Sequence, residues 1–253
     1  MIKILINGIT GKMGTEVAKL VKAEPKMHLL GGLDKYASHN LPYPVFNDVN
    51  DIFETPNVII DFSVPEATIL LLPFAIQKKI PMVIATTGFN EQQKEQIKEA
   101  SADIAIFQSA NLSYEITLMS KIVAQLSKEL ENSDIEIVET HHNRKTDAPS
   151  GTALLLADSI NKANHDIYYY ELNRNEKRQK RNPKEIGFSS IRGGNIVGEH
   201  QVIFFRENET LEVKHTAYSR TIFAEGAIKA AEWIIKQSPG YYTSEDLQTD
   251  KLF

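Results

Sequence analysis

Short apolar runs alternate with helix-patterned segments through the first 108 residues, and this alternation limits the fold more tightly than any other feature. Residues 2–7 form a continuous apolar run closed by Gly8, and similar runs occupy 27–33, 57–61, 82–85 and 104–107. Runs this short and this apolar suit strands buried on both faces, and therefore a parallel sheet. Between them, 12–24 places Val17, Leu20 and Val21 on one helical face and is stopped by Pro25. Residues 66–79 read as a helix in which Pro73 predicts a kink, and Asn90 is placed to cap a polar helix over 91–101. Strand–helix alternation with short loops predicts an α/β, Rossmann-like doubly wound parallel sheet.

The pattern changes after residue 112. A helix over 114–130 leads to an alternating strand at 134–140 and a helix at 153–163. Alternating strands follow at 197–205 and 210–217, joined by a polar turn, and a helix closes the series at 222–237. This predicts a second, α+β domain built on a mixed or antiparallel sheet. The basic stretch 171–185, with Arg174, Lys177, Arg178, Lys180, Arg181 and Lys184, reads as a solvated loop or strand edge.

Composition excludes several chemistries. The chain has no cysteine, so disulfides, iron–sulfur clusters, thiolate metal sites and cysteine nucleophiles are out. Lys and Arg total 28 against 33 Asp and Glu, a net charge of −5 that gives no reason to expect nucleic acid or an anionic membrane. No stretch approaches the ~18 apolar residues of a membrane span. The apolar run at the N-terminus is too short for a signal-peptide core, so a cytoplasmic location is expected.

Gly8-Ile9-Thr10-Gly11-Lys12-Met13-Gly14 links the first strand to the first helix. A dinucleotide pyrophosphate needs close backbone approach and a helix N-terminus aimed at it. Gly8 suits the tight turn, Gly11 removes a Cβ that would block the phosphate, and Gly14 lets helix and strand pack closely. Asp34 ends the second apolar run, where a ribose-binding carboxylate falls. Asp34 favours the free 2′-hydroxyl of NADH, whereas Lys35 beside it can hold the 2′-phosphate of NADPH, so both cofactors stay open. Thr86-Thr87-Gly88 and Ser109-Ala110-Asn111 follow the fourth and fifth strands, at the carboxyl edge where open α/β sheets bind ligands.

The densest chemistry lies in residues 139–153, where His141, His142, Arg144, Lys145 and Asp147 stand between a strand and a helix. Pro149 and Gly151 lead the chain into that helix, whose first N–H groups, at Gly151 and Thr152, form an anion site. Lys145 adds a full positive charge, which suits a small carboxylate-bearing substrate. His141 or His142 can exchange a proton near neutral pH and serve as general acid. Metal-ligand spacing is missing, so no metal is expected. No tyrosine has lysine four residues on, which argues against a short-chain dehydrogenase.

These segments together resemble the 4-hydroxy-tetrahydrodipicolinate reductase (dihydrodipicolinate reductase) family of the diaminopimelate route to lysine. The carrying residues are the glycine loop, Asp61-Phe62-Ser63 with Pro65-Glu66, Thr86-Thr87-Gly88-Phe89, the His-His-x-x-Lys-x-Asp-Ala-Pro-Ser-Gly-Thr run from His141 to Thr152, residues 197–200 and residues 215–220. Ala85, Leu112 and Tyr114-Glu115 depart from the family's usual residues. The resemblance implies His141 as proton donor, Lys145 as second catalytic residue, and His142, Gly151 and Thr152 as groups holding a dicarboxylate. It implies cofactor contacts from Gly8, Ile9, Thr10, Gly11, Lys12, Met13, Asp34, Lys35, Ala85, Thr86, Thr87, Ser109, Ala110, Asn111 and Leu112. It also implies a dinucleotide-binding domain from 1–112 with 220–253, a substrate-binding and oligomerisation domain from 113–219 built on a mixed sheet, and a homotetramer.

Overall fold

The computed structural model describes residues 1–35, 41–109, 111–175 and 178–248. The chain divides into two compact units, one of residues 1–113 with the segment from Arg220 onward, the other Tyr114–Ser219.

The first unit is a seven-stranded, wholly parallel sheet. Its strands are β1 (Ile2–Asn7), β2 (Met27–Leu33), β3 (Val45–Phe46), β4 (Val58–Asp61), β5 (Met82–Ile84), β6 (Ala105–Gln108) and, from the end of the chain, Gly240–Tyr242. The order across the sheet is β3-β2-β1-β4-β5-β6 with Gly240–Tyr242 outermost, so the chain reverses direction of travel at β1/β4. Val58, Ile59 and Ile60 are all fully buried, as a strand sandwiched between helix layers requires.

Four helices cover both faces. On one face lie α1 (Lys12–Ala23) and a C-terminal helix, Thr221–Ile234; on the other lie α2 (Pro65–Lys78) and α3 (Glu91–Ala100). The amphipathic stripe of α1 buries Val17, Ala18 and Val21. Pro65 occupies the first turn of α2, where its missing N–H costs nothing, and Lys79 ends the helix in the left-handed conformation. The helix runs unbroken past Pro73, which lies on its exposed side. Asn90 caps α3 reciprocally: its side chain accepts from the Gln93 N–H at 2.8 Å, and the Gln93 side chain accepts from the Asn90 N–H at 3.0 Å. Gly226 in the C-terminal helix allows a close backbone approach, because a Cβ there would lie 1.8 Å from the Leu112 carbonyl oxygen.

The second unit is a five-stranded mixed sheet with two helices on one face. In chain order it contains α4 (Tyr114–Glu129), β7 (Asp134–His141), α5 (Gly151–Ala163), β8 (Tyr169–Glu171), β9 (Glu185–Arg192), β10 (Gly198–Phe205) and β11 (Thr210–Ala217). The helix Thr221–Ile234 and strand Gly240–Tyr242 of the first unit are α6 and β12. β7 pairs antiparallel with β10 and parallel with β9, so the sheet is mixed. Ile135, Ile137, Val202 and Phe204 point to the α4/α5 face and form the core with Ile116, Met119, Val123, Leu156 and Ile160. The alternate residues, including Thr140, Ile191 and Phe205, face away from those helices.

The basic stretch is a connection between β8 and β9, in which Arg174 and Arg181 are paired while Arg178, Lys180 and Lys184 are exposed. Arg181 reaches Glu136 and donates to the carbonyls of Ile135 (2.9 Å) and Glu185 (2.8 Å), and Arg174 pairs with Glu136 and Glu185. Lys177 lies outside the described residues. No helix among the described residues is long and apolar enough to cross a membrane.

Candidate active site

In the first unit the candidate site is made by backbone. β1 ends at Asn7, and Gly8 turns the chain with φ +78°, which an L side chain rarely adopts. A Cβ at Gly8 would meet the Phe62 carbonyl oxygen at 2.5 Å, and one at Gly14 would meet the Gly8 carbonyl oxygen at 2.1 Å. The first and third glycines are therefore required by packing. Gly11 is the N-cap of α1 and has no side chain to cap it, so Lys12 and Met13 open the helix with outward-facing backbone N–H groups. Thr10 donates from both its N–H (3.2 Å) and its hydroxyl to one carboxylate oxygen of Asp34. This joins the glycine loop to the end of β2, with Lys35 exposed beside it. The arrangement fits a dinucleotide: a helix N-terminus for pyrophosphate and an oriented carboxylate for ribose. The Ile9 side chain is fully buried, so only its backbone is available to a ligand.

The strand ends beyond β1 are tied together. Asp61, at the end of β4, accepts from Asn7 Nδ2 (3.0 Å), Ser63 N (3.1 Å), Ser63 Oγ (2.5 Å) and Thr68 Oγ1 (2.5 Å). Burial pushes its carboxyl pKa up despite these bonds. The Ser63 N–H also donates to Thr86 Oγ1 at 2.9 Å, which fixes the segment after β5 that holds Ala85, Thr86 and exposed Thr87. After β6, Ser109 Oγ donates to the Asn111 carbonyl at 2.6 Å and receives the Ser244 hydroxyl at 2.7 Å. Leu112 is buried against α6, and Ala110 lies outside the described residues.

In the second unit the site is made by side chains. β7 alternates, so Glu139 and His141 share its inward face, buried to 1% and 8% exposure. Glu139 Oε2 lies 2.5 Å from His141 Nδ1. Arg192 grips both Glu139 oxygens, Nη1 to Oε2 at 2.9 Å and Nη2 to Oε1 at 2.7 Å, and the Ser150 N–H adds a third donor at 3.3 Å. Burial alone would raise the pKa of Glu139, but the hydrogen bonds from His141 and Arg192 outweigh it and hold the carboxyl far below the usual range. An ionised Glu139 can only accept, so it favours the His141 tautomer with the proton on Nδ1 and leaves Nε2 open. Gly198 leaves room there, because a Cβ on it would crowd Nε2 at 3.1 Å.

His142 follows the last residue of β7, and its N–H donates to the Ile196 carbonyl at 2.8 Å. Lys145 pairs with Asp147 at 2.9 Å, and Arg192 Nη2 also donates to the Asp147 carbonyl at 2.6 Å, so one guanidinium links the dyad to the lysine-bearing loop. α5 begins at Gly151, two residues before the position read from the sequence, with Ser150 as N-cap accepting from the Ala153 N–H at 3.2 Å. Gly151 and Thr152 therefore carry the first helical amides. Among the described residues no group of three or more His, Cys, Asp or Glu side chains could hold a metal.

Four members of this cluster lie in segments that the sequence marks as candidates but were given no role there: Glu139, Arg192, Ser150 and His200. Glu139 carried a signal, since it stands two residues before His141 on the same strand face. Arg192 is the register partner of His141 across β7 and β9, a pairing between residues far apart in the chain. His200 lies 3.0 Å from Ser150 Oγ, and burial first, then the charge of His141, pushes its pKa down to about 3; the opposing pull of Glu139 is weaker, and Lys145 and His215 act in the same sense as His141. Arg192 bonds both Glu139, the partner of His141, and the carbonyl of Asp147, the partner of Lys145, which ties the two candidate catalytic residues into one cluster.

The family model described as dihydrodipicolinate reductase, N-terminus, matches residues 2–112, and the one described as dihydrodipicolinate reductase, C-terminus, matches residues 115–247. The chain is similar to the 4-hydroxy-tetrahydrodipicolinate reductase of Caldanaerobacter subterraneus subsp. tengcongensis, at 48% identity over 98% of each chain. It is 41% identical to the enzyme of that name from Clostridium novyi, over 99% of this chain and 100% of that one. Among solved structures it matches a dipicolinate-bound dihydrodipicolinate reductase from Paenisporosarcina sp. TG-14 with a TM-score of 0.76 and 25% identity, covering 96% of this chain and 97% of that one.

The His200 pKa makes stability depend on pH. A histidine that titrates near 6.5 unfolded and about 3 folded favours the native state above pH 6.5. That stability is lost as pH falls from 6.5 toward 3, by up to about 1.4 kcal/mol per unit. Denaturant unfolding of His200→Gln between pH 7 and 5 should show a flatter pH dependence than the wild type. Equal slopes in the two proteins would refute the buried neutral histidine.

Proposed function

The chain belongs to the dihydrodipicolinate reductase family, and on that premise we infer how its own residues reduce 4-hydroxy-tetrahydrodipicolinate. The observation that carries the reading is a histidine locked by an ionised carboxylate, in the same cluster as a helix N-terminus and a lysine. The substrate is a small cyclic dicarboxylate whose reduction requires a hydride and a proton. NADH or NADPH supplies the hydride when bound, and loop 8–13, Asp34, Lys35 and strand ends 85–87 and 109–112 are the residues proposed to hold it.

The substrate's negative charge is met by the Gly151 and Thr152 amides, by His142 and by Lys145. These groups fix the ring's position, and Lys145 is the second catalytic residue among them. Once the 4-hydroxyl has left as water, a hydride that adds to the electron-poor carbon would push electron density into the conjugated carbon–nitrogen system, and His141 would deliver from Nε2 the proton that meets it. Glu139 keeps hold of the Nδ1 proton and stabilises the imidazolium before transfer. Arg192 keeps Glu139 from taking that proton itself, because its charge and two hydrogen bonds stabilise the ionised carboxylate. Solvent then reprotonates Nε2. Lys145 must leave Asp147, or share it, to reach a carboxylate.

A homotetramer and a cytoplasmic location belong to the same proposal. The tetramer is supported by the sheet face turned away from α4 and α5, where Ile191 is 51% and Phe205 39% exposed. Light scattering should give a solution mass of four times the 28.5 kDa chain; a monomer would contradict it.

Activity tests the reading directly. With substrate made in situ from pyruvate and aspartate semialdehyde, the wild type should oxidise NADH or NADPH only when substrate is present. His141→Gln and Lys145→Ala should each lower kcat at least ~100-fold while nucleotide affinity stays within about threefold. Full turnover in both variants would remove these residues from the mechanism.

A further inference from the structure

His200 takes no part in the steps above, yet it is enclosed in the centre of the same cluster. It stands on β10 in register with Glu139 and is 4% exposed. Its Nε2 lies 3.0 Å from Ser150 Oγ, and its buried Nδ1 has no hydrogen-bond partner among the described residues. Its ring meets that of His141 edge-on, with centroids 5.1 Å apart and planes at 71°. Ser150 is the junction: its N–H donates to Glu139, and its hydroxyl oxygen accepts from the Ala153 N–H and faces His200.

We propose that His200 is a positioning residue for substrate binding: by locking the Ser150 hydroxyl and bracing the His141 ring, it holds the first turn of α5 as a fixed carboxylate cradle. This rests on the reading that Gly151 and Thr152 take a substrate carboxylate.

The geometry explains why a histidine stands there. A serine hydroxyl is a free rotor, and an N-cap works only while its lone pair stays aimed at the helix amide. Whether Nε2–H donates to Oγ or Oγ–H donates to Nε2, the contact fixes that rotor. An aliphatic residue of similar volume would pack against His141 but leave the hydroxyl unguided. A cationic residue would set a second positive charge against His141 in a buried place with no partner for it. A neutral imidazole meets both conditions, and its low pKa keeps it neutral through the working range. The cost is the unpartnered Nδ1, and a polar group retained at such a cost inside a site points to a role beyond packing.

The test uses the full-length protein, with pyridine-2,6-dicarboxylate as binding probe and the reduction assay for kinetics. His200→Leu should raise KM and weaken probe binding about tenfold, with kcat and NADH affinity within about threefold of wild type. His200→Gln, whose terminal amide can meet the Ser150 hydroxyl, should recover KM to within about threefold. Ser150→Ala should reproduce the leucine phenotype, and combining it with His200→Leu should add little. A folded His200→Leu with unchanged KM and probe affinity would overturn the proposal. So would parallel losses of kcat, KM and NADH affinity, which mark a general defect. Should His200→Leu not fold, an unchanged KM in Ser150→Ala overturns it instead. A wild type that binds NADH but no dicarboxylate would remove the reading of α5 on which the proposal rests, an outcome distinct from failure of the His200 variants alone.

Discussion

The second unit depends on the ionised carboxylate of Glu139. A carboxylate taken out of water costs several kcal/mol unless its charge and lone pairs are met. Here Arg192 supplies two hydrogen bonds, His141 a third and the Ser150 backbone a fourth. Because the clamp is shared, it does more than neutralise a charge. It selects the His141 tautomer, ties β7 to β9, anchors the residue that caps α5, and through Arg192 holds the Asp147 carbonyl beside Lys145. Removing the arginine would leave an uncompensated buried charge, which typically costs about 3–5 kcal/mol. It would also release the histidine and the loop together.

The two units solve binding by different means. In the first, the ligand-facing surface is main chain: a positive-φ turn at Gly8, a helix packed on it at Gly14, and an uncapped helix start at Gly11. Main-chain groups are placed by packing, so the cores on both faces of the sheet do the positioning. Asp34, held by Thr10, is the side chain proposed to add ribose chemistry to that frame. In the second unit the chemistry needs a proton donor and compensated charge, which the backbone cannot provide. Side chains projecting from a rigid mixed sheet provide them, each held by a neighbour.

Most of this was legible in the sequence because parallel strands and Gly-rich loops leave local signals. The runs at Ile2–Asn7, Met27–Leu33 and Thr210–Ala217 end where the periodicity says. Asn90 was readable as a cap because capping is a contact between residues three apart. The strands that were not read failed for physical reasons. β3 and β8 have two and three residues, too few for a period, and β12 is as short. β9 is interrupted by Gly187, whose missing Cβ makes room for the Glu136 carboxylate, and its Ser189-Ser190 pair breaks the apolar pattern. With β9 hidden, the pairing of Arg192 with Glu139, 53 residues apart, left no local signal. The dyad was half legible: two-residue spacing put Glu139 on the face of His141, but only the fold shows what keeps the carboxylate ionised.

The central claim is that Glu139 fixes which nitrogen of His141 carries the exchangeable proton. Nitrogen-15 NMR of ring-labelled histidine, assigned by comparison with His141→Gln, tests this most directly. The account predicts a neutral His141 ring protonated at Nδ1, with Nε2 as the nitrogen whose shift moves on titration, and loss of that preference in Glu139→Gln. A neutral ring protonated at Nε2 in the wild type would contradict it.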